Sequence, residues 1–218
     1  MNLVYLHGFA SAPQSTKAQF FRARLADVGA TLEIPDLAPD FTHTTITSEL
    51  AIVEPLVARA PAVVLGSSLG GYLATLVAQR HPEQVRGLVL FAPAFAFAER
   101  WAARIGDAAM ARWRAAGTID VQHYGAGREL PLSIELLDDA QHYPAEPAPR
   151  CPALIFAGRR DESVPLPAVE HFAQTATGRE LVTYDAGHEL TEVLEPMWRR
   201  TEAFLRLLGG LTRPGGVP

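Results

Sequence analysis

The chain has 218 residues, of which 48% are hydrophobic, and its 19 basic against 24 acidic residues give a formal charge of −5. That length suits one domain with a sizeable core. The composition excludes a disordered chain, a basic nucleic-acid binder and a small disulfide scaffold. The single cysteine, Cys151, has no internal partner and reads as a small buried hydrophobe at the head of an apolar run.

The pattern opens on a short apolar strand, Leu3 to Leu6, that stops at His7-Gly8. The opening carries no charged leader, and no stretch approaches the 18 or so apolar residues of a membrane span, so a cytoplasmic location and no membrane span are expected. Residues 15–28 follow as a helix with Ala18, Phe21, Leu25 and Val28 at helical spacing and Ser15 placed to cap it. Thr31 to Ile34 is a second strand. After a loop, Thr47 is placed to cap a helix running to about Arg59.

Ala62 to Leu65 forms a third strand, running into Gly66-Ser67-Ser68-Leu69-Gly70-Gly71 and an apolar helix to about Arg80. Further strands are expected at Val85 to Phe91, Cys151 to Ala157 and Glu180 to Tyr184. Strands alternating with helices indicate a mostly parallel sheet covered on both faces. Residues 93–149 break that rhythm. Within them, Phe97 to Ala116 reads as one helix on the four-residue steps of Trp101, Ile105, Ala109 and Trp113, and Leu132 to Gln141 as a second. The segment is expected to be a small helical cap inserted into a single domain of residues 1–208. A last helix starts near Glu192 or Pro196, and residues 209–218 are expected to be a flexible tail.

Gly66-Ser67-Ser68-Leu69-Gly70 is G-x-S-x-G between a strand and a helix, the context in which a sharp turn exposes a nucleophilic serine. Gly66 and Gly70 leave room where side chains would collide, and Ser68 is the candidate nucleophile. The competing reading, a phosphate-binding loop, lacks both the G-x-G-x-x-G spacing and a following Lys-Ser or Lys-Thr. A serine nucleophile needs a base and the base an orienting acid. His188 follows the last strand directly, and Gly187 before it is expected to permit a sharp turn. Asp161 follows the preceding strand, with Glu162 as the local rival and Asp185 a weaker one. His43, His81, His123, His142 and His171 have poorer positions, and His7 reads as a support for its own turn. The N–H groups of Leu69 and Phe9 are the candidate oxyanion donors.

Together, Tyr5-Leu6-His7-Gly8-Phe9, the Ser68 turn, Asp161 and Gly187-His188 resemble the α/β-hydrolase superfamily. The closer resemblance is to small bacterial YqiA-like esterases, in the pattern of Ser11, Pro13, Ser15, Lys17 and Ala18 that follows. The resemblance covers the sheet regions. It implies an α/β-hydrolase fold of about six mainly parallel strands flanked by helices, a Ser68–Asp161–His188 triad and a cofactor-free esterase. The longer 93–149 insertion departs from the smallest members, and leaves the substrate class open.

The expected partner is a small-molecule ester or thioester, with no nucleic acid, in a monomer or small homo-oligomer. A thioesterase is the nearest alternative; a non-enzymatic binding protein on a hydrolase scaffold is the alternative from another class. Phe91, Phe95, Phe97, Trp101 and Trp113 form an aromatic path that reads either as pocket wall or as cap packing. Lys17, the only lysine, reads either as a contact for an anionic substrate or, as is more usual for such a residue, as solvated; solvation is the expectation. No metal-ligand spacing occurs: His188-Glu189 lacks the second histidine of H-E-x-x-H.

Overall fold

Buried on both faces, a parallel strand needs a nearly unbroken apolar run, and four such runs build the centre of this protein. The structure is a computed structural model that describes residues 1–211. Strands β1 (Asn2–Leu6), β2 (Leu32–Glu33), β3 (Ala62–Ser67), β4 (Val85–Phe91), β7 (Ala153–Gly158) and β8 (Arg179–Tyr184) form a six-stranded parallel sheet in the order β2-β1-β3-β4-β7-β8. Helices α1 (Thr16–Asp27) and α8 (Leu194–Leu207) cover one face. Helices α2 (Ile46–Ala58), α3 (Leu69–Arg80) and α7 (Leu166–Gln174) cover the other. This is the α/β-hydrolase fold.

The chain runs outward from β1 to β2, then crosses back to β3 and continues to β4, so the order reverses between β1 and β3. Loops at the carboxyl ends of such strands form a crevice for ligands. The register brings those ends level: Leu6 lies beside Gly66, Ser67 beside Phe91, Phe91 beside Phe156 and Gly158 beside Tyr184.

Helix α3 is buried along ten of its residues, Leu69 to Ala78, which accounts for its lack of a polar face. Helix α2 buries Ile46, Leu50, Val53 and Val57 at helical spacing. It is capped by Thr45, two residues earlier than the expected cap at Thr47: the Thr45 hydroxyl accepts from Ser48 N–H and the Ser48 hydroxyl oxygen accepts from Thr45 N–H. Thr47 instead bonds Asp139 through its N–H (2.8 Å) and hydroxyl (2.6 Å). Ser15 stands at the start of α1, but its side chain makes no capping bond.

The excursion between β4 and β7 differs from the expected pair of helices. Its long helix is two, α4 (Phe97–Ile105) and α5 (Asp107–Ala116), broken at Gly106, whose φ of +81° cannot continue an α-helix. An antiparallel hairpin follows, β5 (Thr118–His123) with β6 (Arg128–Ser133), and then a short α6 (Glu135–Ala140). The cap is therefore mixed. Trp113, fully buried, fixes it by donating its indole N–H to Leu132 O at 3.0 Å and packing edge-on against Trp101 at 5.2 Å. The hairpin tip reaches the first loop of the sheet, where Tyr124 N–H donates to Ala10 O at 2.8 Å.

In the expected tail, Gly210 N–H bonds Leu205 O at 2.8 Å and Leu211 is buried; the rest of it, 212–218, lies outside the described residues. Among the described residues no helix is long and apolar enough to cross a membrane.

Candidate active site

Ser68 sits between β3 and α3 with φ 53° and ψ −117°, a conformation that costs a side-chain-bearing residue about 1–3 kcal/mol. The surroundings hold it there. Its N–H donates to Phe91 O at 2.9 Å, and its carbonyl accepts from Gly71, Tyr72 and Ala94 at 2.9, 3.1 and 3.0 Å. The tightness of the turn explains its glycines. A Cβ on Gly66 would run into the Gly70 carbonyl, and one on Gly70 into the Leu6 and His7 carbonyls. The Ser68 side chain consequently stands clear of the sheet at the crevice between β1 and β3.

His188 comes from the loop after β8 and Asp161 from the loop after β7. The His188 Nε2 atom is 3.0 Å from Ser68 Oγ, and its Nδ1 is 2.8 Å from Asp161 Oδ2. The other Asp161 oxygen accepts from the N–H groups of Ser163 and Val164, both at 2.8 Å. Burial pushes this carboxyl up, but His188 and the two backbone donors together outweigh it, and its pKa lies below the ordinary value. An ionised Asp161 takes the Nδ1 proton of His188 as its hydrogen bond. Nε2 is then the acceptor facing the Ser68 hydroxyl.

The carboxylate side chain is 2% exposed and the imidazole 21%, so the acid is sealed while the base faces the crevice. The rival acids are not brought to His188. Glu162 is exposed, and Asp185 is held by Arg160 at 2.8 Å. Gly187 is not in the left-handed region and an added Cβ there meets open space, so the expected glycine-dependent turn at this position is absent.

The Phe9 loop follows β1. His7 accepts from Leu37 N–H at Nε2 (3.1 Å), so Nδ1 carries the proton donated to Gly8 O at 3.0 Å. Burial lowers its pKa and keeps this neutral form. His7 thus braces the turn. Leu69 N–H lies in the first turn of α3, and neither it nor Phe9 N–H has a hydrogen-bond acceptor among the described residues. Neither N–H is spent on another acceptor, as the oxyanion-donor expectation for the two groups requires.

The crevice opens into a cleft of about 980 Å³ bounded by the Phe9 loop, α1, α4, the hairpin and the His188 loop. Phe97 and Trp101 line it with Phe9, whose ring lies 4.9 Å from that of Trp101. The remaining aromatic positions are packing: Phe91 belongs to the opposite core, Phe95 stacks on Phe172 at 4.3 Å, and Trp113 is buried in the cap.

Lys17 departs most from expectation. It is 5% exposed, not solvated; its ammonium donates to Ser67 Oγ at 2.9 Å, and burial pulls its pKa down to about 8. Its place one helical turn before Phe21, on the apolar face of α1, was the available signal. Arg100 and Arg104 also line the cleft and were not singled out by sequence. Cys151 is half-buried, with its thiol pushed up to about 11 by burial.

The fold and the serine–histidine–aspartate arrangement at its switch point define a protein of the α/β-hydrolase class. Within that class, the chain belongs to the Uncharacterised protein family (UPF0227), whose sequence profile matches residues 2–205. Among solved structures it is similar to alpha/beta hydrolase domain-containing protein 10 from mouse, with a TM-score of 0.80 and 17% identity over 95% of this chain and 90% of that one. It is also similar to Est1E from Butyrivibrio proteoclasticus, in a structure with ferulic acid bound, with a TM-score of 0.77 and 19% identity over 95% and 89% of the two chains. At these identities the likeness is one of fold.

Proposed function

We propose that this protein is a serine hydrolase that cleaves small carboxylic esters through an acyl-enzyme, as the YqiA-like resemblance implies. The observation that carries the reading is the hydrogen-bonded chain Ser68 Oγ–His188–Asp161 at 3.0 and 2.8 Å, with its serine end open to the cleft.

His188 Nε2 takes the Ser68 proton as Oγ attacks the ester carbonyl. The imidazolium that forms lies against the Asp161 carboxylate, which is ionised in advance and fixed by two backbone donors. The negative charge that develops on the carbonyl oxygen is received by Phe9 and Leu69 N–H, each such donor being worth about 10²–10³ in kcat. The imidazolium then protonates the leaving alkoxide, and the alcohol departs. In the second half, His188 takes a proton from water, hydroxide adds to the acyl-Ser68 carbonyl, and collapse returns the proton to Ser68 and frees the acid. Residues 1–208 act as one catalytic domain in this reading, with the 93–149 excursion roofing the acyl or alcohol pocket.

The test is a panel of 4-nitrophenyl esters and acyl thioesters graded by chain length, run on wild type and Ser68→Ala. Ester turnover that Ser68→Ala abolishes is the expected result. A Ser68-dependent preference for thioesters would move the protein to that substrate class, and turnover equally weak in both proteins would remove the enzyme reading.

A further inference from the structure

Helix α4 presents Arg100 and Arg104, one turn apart, to the cleft. Arg100 is half-buried, and its Nε and Nη1 atoms are cut off from solvent with no hydrogen-bond partner. Guanidinium N–H groups desolvated without acceptors are costly to keep. Arg24, Arg59, Arg80, Arg114, Arg160, Arg200 and Arg206, by contrast, all hold carboxylates. Among the described residues, no ion pair engages Arg100, Arg104 or Lys17.

The acids whose fields reach Arg100 are Asp161 and Glu99. Asp161 already serves His188, Ser163 and Val164. Lys17, buried under the same cleft, spends one of its three donors on Ser67. The cleft lining therefore carries three basic side chains against one carboxylate, that of the exposed Glu189, in a chain whose net charge is −5.

We infer that the cleft takes an ester bearing an oxyanion, a carboxylate or a phosphate, away from the scissile bond, with Arg100 as its anchor. The inference rests on the serine-hydrolase reading and names its substrate class. A guanidinium fork matches either anion with two parallel hydrogen bonds, and the long Arg100 side chain can turn that fork into the cleft. Phe9, Phe97 and Trp101 supply an apolar wall for the carbon skeleton. This anion site is separate from the Phe9 and Leu69 N–H groups, which receive charge only as the reaction proceeds.

Two substrate pairs distinguish where the anion sits. The mono-4-nitrophenyl ester of adipic acid is compared with its neutral carbamoyl counterpart, placing a carboxylate on the acyl side. The hexanoyl ester of glycerol 3-phosphate is compared with monohexanoylglycerol, placing a phosphate on the alcohol side. In wild type, at least one anionic ester should exceed its neutral partner by about tenfold or more in kcat/KM, mainly through KM. Arg100→Gln should bring that ratio to about twofold or less, and Arg100→Lys should retain part of it. Each ratio is taken within one protein, so a general loss of activity cancels.

A wild-type ratio near one, or a ratio unchanged by Arg100→Gln, overturns the anion site. Ser68-dependent turnover of the neutral esters would leave the hydrolase reading standing in that event. If wild type turns over none of the four esters, calorimetric titration of Ser68→Ala with adipate and adipamide decides. Tighter adipate binding that Arg100→Gln abolishes supports the site, and equal binding of the two overturns it.

Discussion

Replacing Asp161 with asparagine changes one atom of the site and should disable its base. The wild-type carboxylate uses Oδ1 for Ser163 and Val164 N–H and Oδ2 for His188 Nδ1, all at 2.8 Å. In Asp161→Asn the amide oxygen keeps the side with two donors, because the alternative faces the amide NH₂ with two N–H groups. The NH₂ then points at His188 Nδ1, which must accept. The imidazole proton moves to Nε2, where it faces Ser68 Oγ and blocks proton removal. A tautomer error of this kind in a serine–histidine–aspartate site costs on the order of 10⁴ in kcat.

Both backbone bonds survive the substitution, so Tm should fall by only a few degrees, on the scale of about 1 kcal/mol or less. Ester hydrolysis at neutral pH, with thermal denaturation on the same samples, measures both quantities. Glu162→Gln and Asp185→Asn, whose side chains lie away from His188, should stay within about twofold of wild type. An Asp161→Asn enzyme that remains folded yet loses less than about tenfold would overturn this role for Asp161, as would a Glu162→Gln enzyme that loses on the order of 10⁴.

Other consequences can be measured separately. Gly70→Ala drives a methyl group into two backbone carbonyls and should cost about 1–3 kcal/mol or more along with activity, whereas Gly187→Ala, with open space around it, should leave Tm unchanged in the same melt. Glu49 is buried on α2, accepts from the Thr44 hydroxyl, and has a pKa raised by burial from its usual 4.5 to about 8. Its folded-state value lies above the unfolded one, so the stability of its neutral form is complete below about pH 4.5 and is lost as pH rises through about 8. Glu49→Gln should therefore raise Tm relative to wild type at pH 9 and change it little at pH 4.5; an equal shift at both would contradict the assignment. Trp113→Ala should cost about 3–5 kcal/mol and loosen the cap, seen as a lower Tm and faster amide exchange in β5 and β6.

The parts of the molecule legible in sequence are those where one residue pattern permits one backbone. The Ser68 turn is such a place, since only glycine fits at 66 and 70. The strands buried on both faces are another. The cap was less legible because its cues conflict. The four-residue steps from Trp101 to Trp113 suggested one helix, which would hold the two rings about 18 Å apart; the break at Gly106 folds the chain back and brings them into contact. Ile119 and Val121 alternate with polar residues in the period of a strand, yet the surrounding alanine-rich helices masked so short a signal. Thr45 and Thr47 both suit a helix start, and Ser48 decides between them by completing the capping box at Thr45. Lys17 read as solvent-exposed because lysine usually is; burial against Ser67 and the Phe91 ring depends on where α1 crosses the sheet, which local sequence does not specify.

In the proposed mechanism Ser68 is a nucleophile activated by His188. Fluorophosphonate labelling of the folded protein, read by peptide mass spectrometry, tests it most directly. A phosphonyl adduct on Ser68 is expected, absent in Ser68→Ala and formed far more slowly in His188→Gln. Folded wild type that takes no label, or takes it on a residue other than Ser68, would contradict it.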